Sequence, residues 1–139
     1  MSTEFAKKIH HINFVVHDLD AAEQRYRQLL GLGPAIREAL PQRHVLTARF
    51  RIGEVWLVLV QPTSEQGEPA RHLRDRGEGF FLISFGVDDL DAAMARARSR
   101  GACFASARAR SGLADWRVID FQIADPSGAI IQLTEDCTP

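Results

Sequence analysis

Cysteine is scarce in this sequence, and neither sign of charge dominates. Only Cys103 and Cys137 occur, without the spacing of a metal-binding pair, so they read as reduced thiols of a cytosolic protein and not as a disulfide framework or zinc site. Lysine and arginine number 17 against 18 aspartates and glutamates, scattered along the chain. A formal charge of -1 sets up no field that would gather nucleic acid or an anionic membrane. No apolar run reaches the length of a membrane span, and Met1–Lys8 lacks the apolar core of a signal peptide, so a cytoplasmic location is expected. A phosphate-cradling glycine loop, Gly-x-Ser-x-Gly and Cys-x-x-Cys are all missing, and with them the motif basis for the chemistries they serve.

What remains is an ordinary globular composition, 45% hydrophobic and 25% charged. A chain of 139 residues can bury one good core and is short for two ordinary domains, so a single domain over 1–139 is expected.

The strongest internal signal is a repeat. Ile12-Asn13-Phe14-Val15-Val16-His17-Asp18-Leu19-Asp20-Ala21-Ala22 overlays Ile83-Ser84-Phe85-Gly86-Val87-Asp88-Asp89-Leu90-Asp91-Ala92-Ala93, each pair standing 71 positions apart. Each copy opens on a strand of period two, with Ile12, Phe14 and Val16, or Phe81, Ile83, Phe85 and Val87, on the apolar face. A helix follows, with Asp18 or Asp20 and Asp89 or Asp91 as candidate N-caps. Its apolar stripe is Leu19, Ala22, Tyr26, Leu29 and Leu30 in the first copy, ended by Gly31 and Gly33. In the second copy it is Leu90, Ala93, Met94 and Ala97, ended by Gly101. Three more strands complete each copy, the clearest being Val45–Ile52, Val55–Gln61, Trp116–Ile123 and Ala129–Thr134. The polar, turn-rich stretch 62–79 links module one (9–61) to module two (80–135).

Ile9-His10-His11-Ile12, the Asp-Leu-Asp-Ala-Ala helix start, Leu30-Gly31-Leu32-Gly33 and Asp125-Pro126-Ser127-Gly128 resemble the vicinal oxygen chelate (glyoxalase/bleomycin resistance/dioxygenase) superfamily. Within it, Pro69–Gly79 is similar to the linker helix of methylmalonyl-CoA epimerases. The resemblance implies an α+β fold of two tandem β-α-β-β-β modules, forming a curled, cup-like mixed sheet with helices outside. The strand periodicity then turns His11, Asn13, Arg49, Arg51, Trp56, Val58, Leu82, Ser84, Asp120, Gln122, Ile130 and Gln132 toward the cup.

Metal-dependent relatives place one ligand on the first and one on the last strand of each module, which the resemblance carries to His11, Val58, Leu82 and Gln132. Two of these four side chains are hydrocarbon, so no metal and no other cofactor is expected. The epimerases' Pro-Glu pair corresponds to Pro41-Gln42, and Gln132 replaces the second carboxylate. An amide accepts no proton at neutral pH, so methylmalonyl-CoA epimerisation by the family mechanism is not expected.

The other candidates each carry two readings. His11 is a catalytic acid or base, or an imidazole hydrogen-bonded to Gln132. Arg49 grips a ligand's anionic group, or pairs with Asp120. Trp56 and Trp116 wall a flat ligand, and for Trp56 a place in the core or a subunit interface is the other reading. Arg108 and Arg110 contact a phosphate or are solvated loop residues. The expected function is metal-independent binding of a mainly apolar small molecule with an anionic or carbonyl handle, in specialised metabolism or resistance. The alternative is a glyoxalase- or epimerase-like isomerase or lyase acting through His11, Gln132 and Arg49, with Asp120 as a further catalytic candidate. A homodimer is the expected assembly.

Overall fold

The structure, a computed structural model, describes residues 4–139. Met1–Thr3, part of the stretch read as lacking a signal peptide, lie outside the described residues. The elements run β1 (Lys8–Val15), α1 (Leu19–Leu30), β2 (Ile36–Leu40), β3 (Val45–Ile52), β4 (Val55–Pro62), α2 (Glu68–Arg76), β5 (Gly79–Gly86), α3 (Leu90–Ser99), β6 (Arg110–Ser111), β7 (Trp116–Asp120) and β8 (Ile130–Asp136). Among the described residues, no helix is long and apolar enough to cross a membrane.

Two compact units form. The first is His11–Phe81; the second joins the segment ending at His10 to Leu82–Pro139. Within the first unit the strand order is β2-β3-β4-β1, and within the second β6-β7-β8-β5. In each, the opening strand runs parallel to the closing one and the remaining pairings are antiparallel. The sequence repeat is therefore a repeat of topology.

The same local device starts both repeat helices. Asp18 and Asp89 are the N-caps, accepting from the amides of Ala21 and Ala92 at 3.0 Å, which satisfies donors the helix itself leaves unpaired. A side chain of the closing strand takes another such donor: Gln61 Oε1 accepts from Leu19 N, and Glu135 Oε1 from Leu90 N, both at 2.8 Å. Gly31 ends α1 in the left-handed conformation at φ 67°, where a side chain would be strained.

The α1 stripe is shorter than the periodicity predicts. Leu19 and Ala22 are buried and Tyr26 packs beside them, but Leu29 and Leu30 are exposed. Leu32 and Ala35, from the chain after the helix, pack against that core together with Ala48, Phe50, Leu57 and Leu59. The α3 stripe buries all four predicted residues, and Leu90, Ala93 and Met94 pack with Ile119 and Leu133.

Stretch 62–79 contains α2, with Pro69 and Ala70 buried. The start of β1 joins the second unit: Lys7 N donates to Gly86 O at 2.8 Å. A Cβ at position 86 would meet the Lys8 side chain at 3.0 Å, so glycine permits this approach.

Candidate functional site

In the first unit, cross-strand register sets one face. His11 lies beside Trp56, which lies beside Arg51; Asn13 lies beside Val58, which lies beside Arg49. Side chains alternate along a strand, so all six residues share the face opposite the α1-packed residues Ala48, Phe50, Leu57 and Leu59. Val58 and His11 are buried, and Arg51 is exposed. The Arg49 and Arg51 guanidinium groups lie 5.3 and 5.2 Å from the centroid of the Trp56 ring, within cation–π range.

The two arginines differ in charge balance. Arg49 Nη1 donates to Glu38 Oε1 at 2.7 Å. Glu38 is a partner for Arg49 that the sequence reading did not name. Ile36 stands opposite Arg49 across the β2–β3 ladder, so Glu38 is the diagonal neighbour on the same face, within reach of a long side chain. Arg51 donates Nε to Gly53 O at 2.8 Å, and among the described residues no carboxylate lies within 4 Å of it. Asn13 Oδ1 is buried with no hydrogen-bond partner.

In the second unit the face away from α3 carries a hydrogen-bonded chain. Ser84 Oγ bonds Thr134 Oγ1, and Thr134 Oγ1 donates to Gln132 Oε1 at 3.5 Å. Gln132 Nε2 donates to Asp120 Oδ1 at 2.8 Å, and Arg110 Nη2 lies 3.2 Å from Asp120 Oδ2. Ser84, Thr134, Gln132 and Asp120 are all buried. Register explains the chain, because Ser84 pairs with Gln132, Gln132 with Asp120, and Val118 with both Arg110 and Thr134. Gln132 and Asp120, the predicted catalytic pair of this half, thus bind each other, and Asp120 is balanced by Arg110. Leu82 is buried on the same face, opposite Ile130.

Two predicted site residues are placed differently. Trp116 is 3% exposed and meets the His10 ring edge-on at 4.6 Å, so it is a packed core side chain and not an open ligand wall. Gln122 is exposed and lies beyond β7, which ends at Asp120. Phe121 still donates its N–H to Ile131 O of β8 at 2.9 Å while bridging Phe104, and Gln122 N then donates to Cys103 O at 2.9 Å. Strand alternation therefore does not extend to Gln122.

Of the four positions that the resemblance assigns to metal ligands, Val58 and Leu82 carry no donor atom and Gln132 spends its amide on Asp120 and Thr134. Among the described residues, no group of three His, Cys, Asp or Glu side chains is placed to hold a metal ion. This donor set does not fit a divalent cation, which requires several N or O ligands.

Residues 10–119 match the Glyoxalase/Bleomycin resistance protein/Dioxygenase superfamily, and the chain belongs to that family. It is similar to a variant of Streptomyces coelicolor methylmalonyl-CoA epimerase in complex with 2-nitronate-propionyl-CoA, at 29% identity over 96% of this chain and 99% of that one, TM-score 0.89. It is also similar to the Mycobacterium tuberculosis methylmalonyl-CoA epimerase, at 28% identity over 99% and 93%, TM-score 0.91. A methylmalonyl-CoA epimerase in complex with methylmalonyl-CoA and NH4+ is 28% identical over 97% of both chains, TM-score 0.88. No curated protein matches the sequence.

Proposed function

We propose that this chain binds a small molecule with a mainly apolar body and an anionic or carbonyl end, and does so without the metal ion of its metal-dependent relatives. The observation that carries this reading is the Val58 face of the first unit. Its apolar centre is bordered by a buried amide oxygen, Asn13 Oδ1, and by the Trp56-stacked Arg51 guanidinium; among the described residues the first has no hydrogen-bond partner and the second no carboxylate within 4 Å. A buried acceptor left unpaired costs about 1–3 kcal/mol, which a ligand N–H or O–H at Asn13 offsets. Arg51 then receives the ligand's anionic or carbonyl group. The anionic handle moves from Arg49 to Arg51, because Glu38 already neutralises Arg49.

Acyl-CoA thioesters, the ligand class of the similar epimerase complexes, are the first probes. They supply a carbonyl, apolar acyl carbons and anionic groups together. Epimerisation by two carboxylate bases is not proposed, since Gln42 and Gln132 are amides. The isomerase or lyase alternative would have to act through Gln132 and Arg49 side chains that already bond Asp120 and Glu38.

Isothermal titration with propionyl-CoA, methylmalonyl-CoA and a set of apolar carboxylates tests the reading. Saturable binding is expected, weakened roughly ten- to a hundredfold in Arg51→Met, the loss of one charge-assisted contact. Absence of binding by every probe, or full affinity in Arg51→Met, overturns it. Protein purified without chelator is expected to carry well under one equivalent of Zn, Ni, Co, Mn or Fe by mass spectrometry. Stoichiometric metal that disappears in His11→Ala would show that ligands beyond the four family positions are in use.

A further inference from the structure

We propose that a cavity on the α3 side of the second unit is a binding site for a phosphate-bearing small molecule. It measures about 370 Å³ and is lined by Asp91, Met94 and Arg98 of α3, Arg108 and Ala109 of the loop before β6, and Arg117 of β7. Positions 91, 94 and 98 follow the helical repeat, so one face of α3 supplies an apolar floor at Met94 between charged ends.

Charge balance points to an anion. Arg117 is neutralised, with Nη2 3.3 Å from Asp91 Oδ1 and Nη1 3.5 Å from Glu135 Oε2. Arg98 and Arg108 are not: among the described residues, neither has a carboxylate within 4 Å. Arg98 Nη2 donates to Ala107 O at 3.2 Å, and its guanidinium lies 5.2 Å from the centroid of the Phe104 ring. Among the described residues, Arg108 has no side-chain hydrogen-bond or ion-pair partner.

The loop carrying Arg108 is held in place before any ligand arrives. Arg98 binds the Ala107 carbonyl, and Ser106 Oγ donates to Arg108 O at 2.9 Å. Two guanidinium groups without counter-charges, one fixed by its ring contact, suit the several acceptor oxygens of a phosphate dianion. The volume exceeds what a bare phosphate fills and falls in the range of small-molecule sites, about 300–1,000 Å³. An organic phosphate is therefore the expected occupant, its body against Met94 and Ala109. Of the two loop arginines, Arg110 pairs with Asp120 and Arg108 lines the cavity.

The full chain is titrated calorimetrically with adenosine monophosphate, inorganic phosphate and malonate at low and at raised salt. Saturable binding of adenosine monophosphate is expected, weakening with salt and by roughly tenfold in Arg108→Gln. Saturation by inorganic phosphate alone, with the same loss in Arg108→Gln, supports the site with free phosphate as its occupant. Arg98→Gln is measured beside its unfolding midpoint because Arg98 also packs on Phe104; Arg108, exposed and unbonded through its side chain, decides the question. Three outcomes overturn the proposal: no saturable binding of either phosphate, malonate bound as tightly, or affinity unchanged in Arg108→Gln.

Discussion

Asp120→Ala should lower the unfolding free energy by about 2–4 kcal/mol, measured by urea denaturation at neutral pH. The carboxylate accepts from Gln132 through Oδ1 and pairs with Arg110 through Oδ2, and it is 9% exposed. Removing it strands a buried amide donor and leaves a half-buried guanidinium without its counter-charge. Breaking one partner of such a pair costs more than replacing both, since the surviving group stays desolvated. Asp120→Asn keeps an acceptor for Gln132 and loses only the charge, so its cost should be smaller, about 1–2 kcal/mol. A double-mutant cycle with Arg110→Met should show that the two losses are not additive. A loss below about 1 kcal/mol for Asp120→Ala would mean that water replaces the carboxylate, and that the Ser84–Thr134–Gln132–Asp120–Arg110 chain is looser than its hydrogen bonds imply.

That chain marks the limit of what the residues alone disclose. The repeat was legible because identical side chains recur at one spacing, and the strand faces because buried strands alternate strictly. His11, Asn13, Arg49, Arg51, Trp56 and Val58 accordingly share one face. Alternation gives a face but not a neighbour. Glu38 was missed as the partner of Arg49 because Ile36-Arg37-Glu38-Ala39-Leu40 mixes charge with apolar residues and was not delimited as a strand. Its alternation of Ile36, Glu38 and Leu40 was the available signal.

Arg110 was missed as the partner of Asp120 because β6 is two residues long, too short for any periodicity. Gln122 failed differently. Strand period was extended past Asp120, where the backbone turns to bond Cys103 and the rule ceases to apply. The attachment of the β1 start to the second unit had no local signal at all, since it rests on contacts more than 70 residues away in sequence.

The largest structural consequence of that attachment is expected at His10. This residue is 1% exposed, with Nε2 2.7 Å from Asp136 Oδ2 and its ring edge-on to Trp116. His10→Ala removes a fully buried ring and leaves Asp136 without that hydrogen bond, so a loss of about 3 kcal/mol is expected. Asp136→Asn should cost less and should depend on pH. Burial pushes the Asp136 carboxyl up, but hydrogen bonds from His10 and from Thr138 outweigh it and hold the group below the usual carboxylate range. A carboxyl whose folded pKa lies below its unfolded one contributes stability that is present above the unfolded value and lost as pH falls through the folded one. The gap between the natural chain and Asp136→Asn should therefore be widest near neutrality, about 1–2 kcal/mol. It should close as pH drops below about 4, the ordinary aspartate value. Urea midpoints measured from pH 7 down to pH 3 give the curve. A gap that stayed constant across that range would show that the Asp136 carboxylate charge plays no part in fastening the start of β1 to β8.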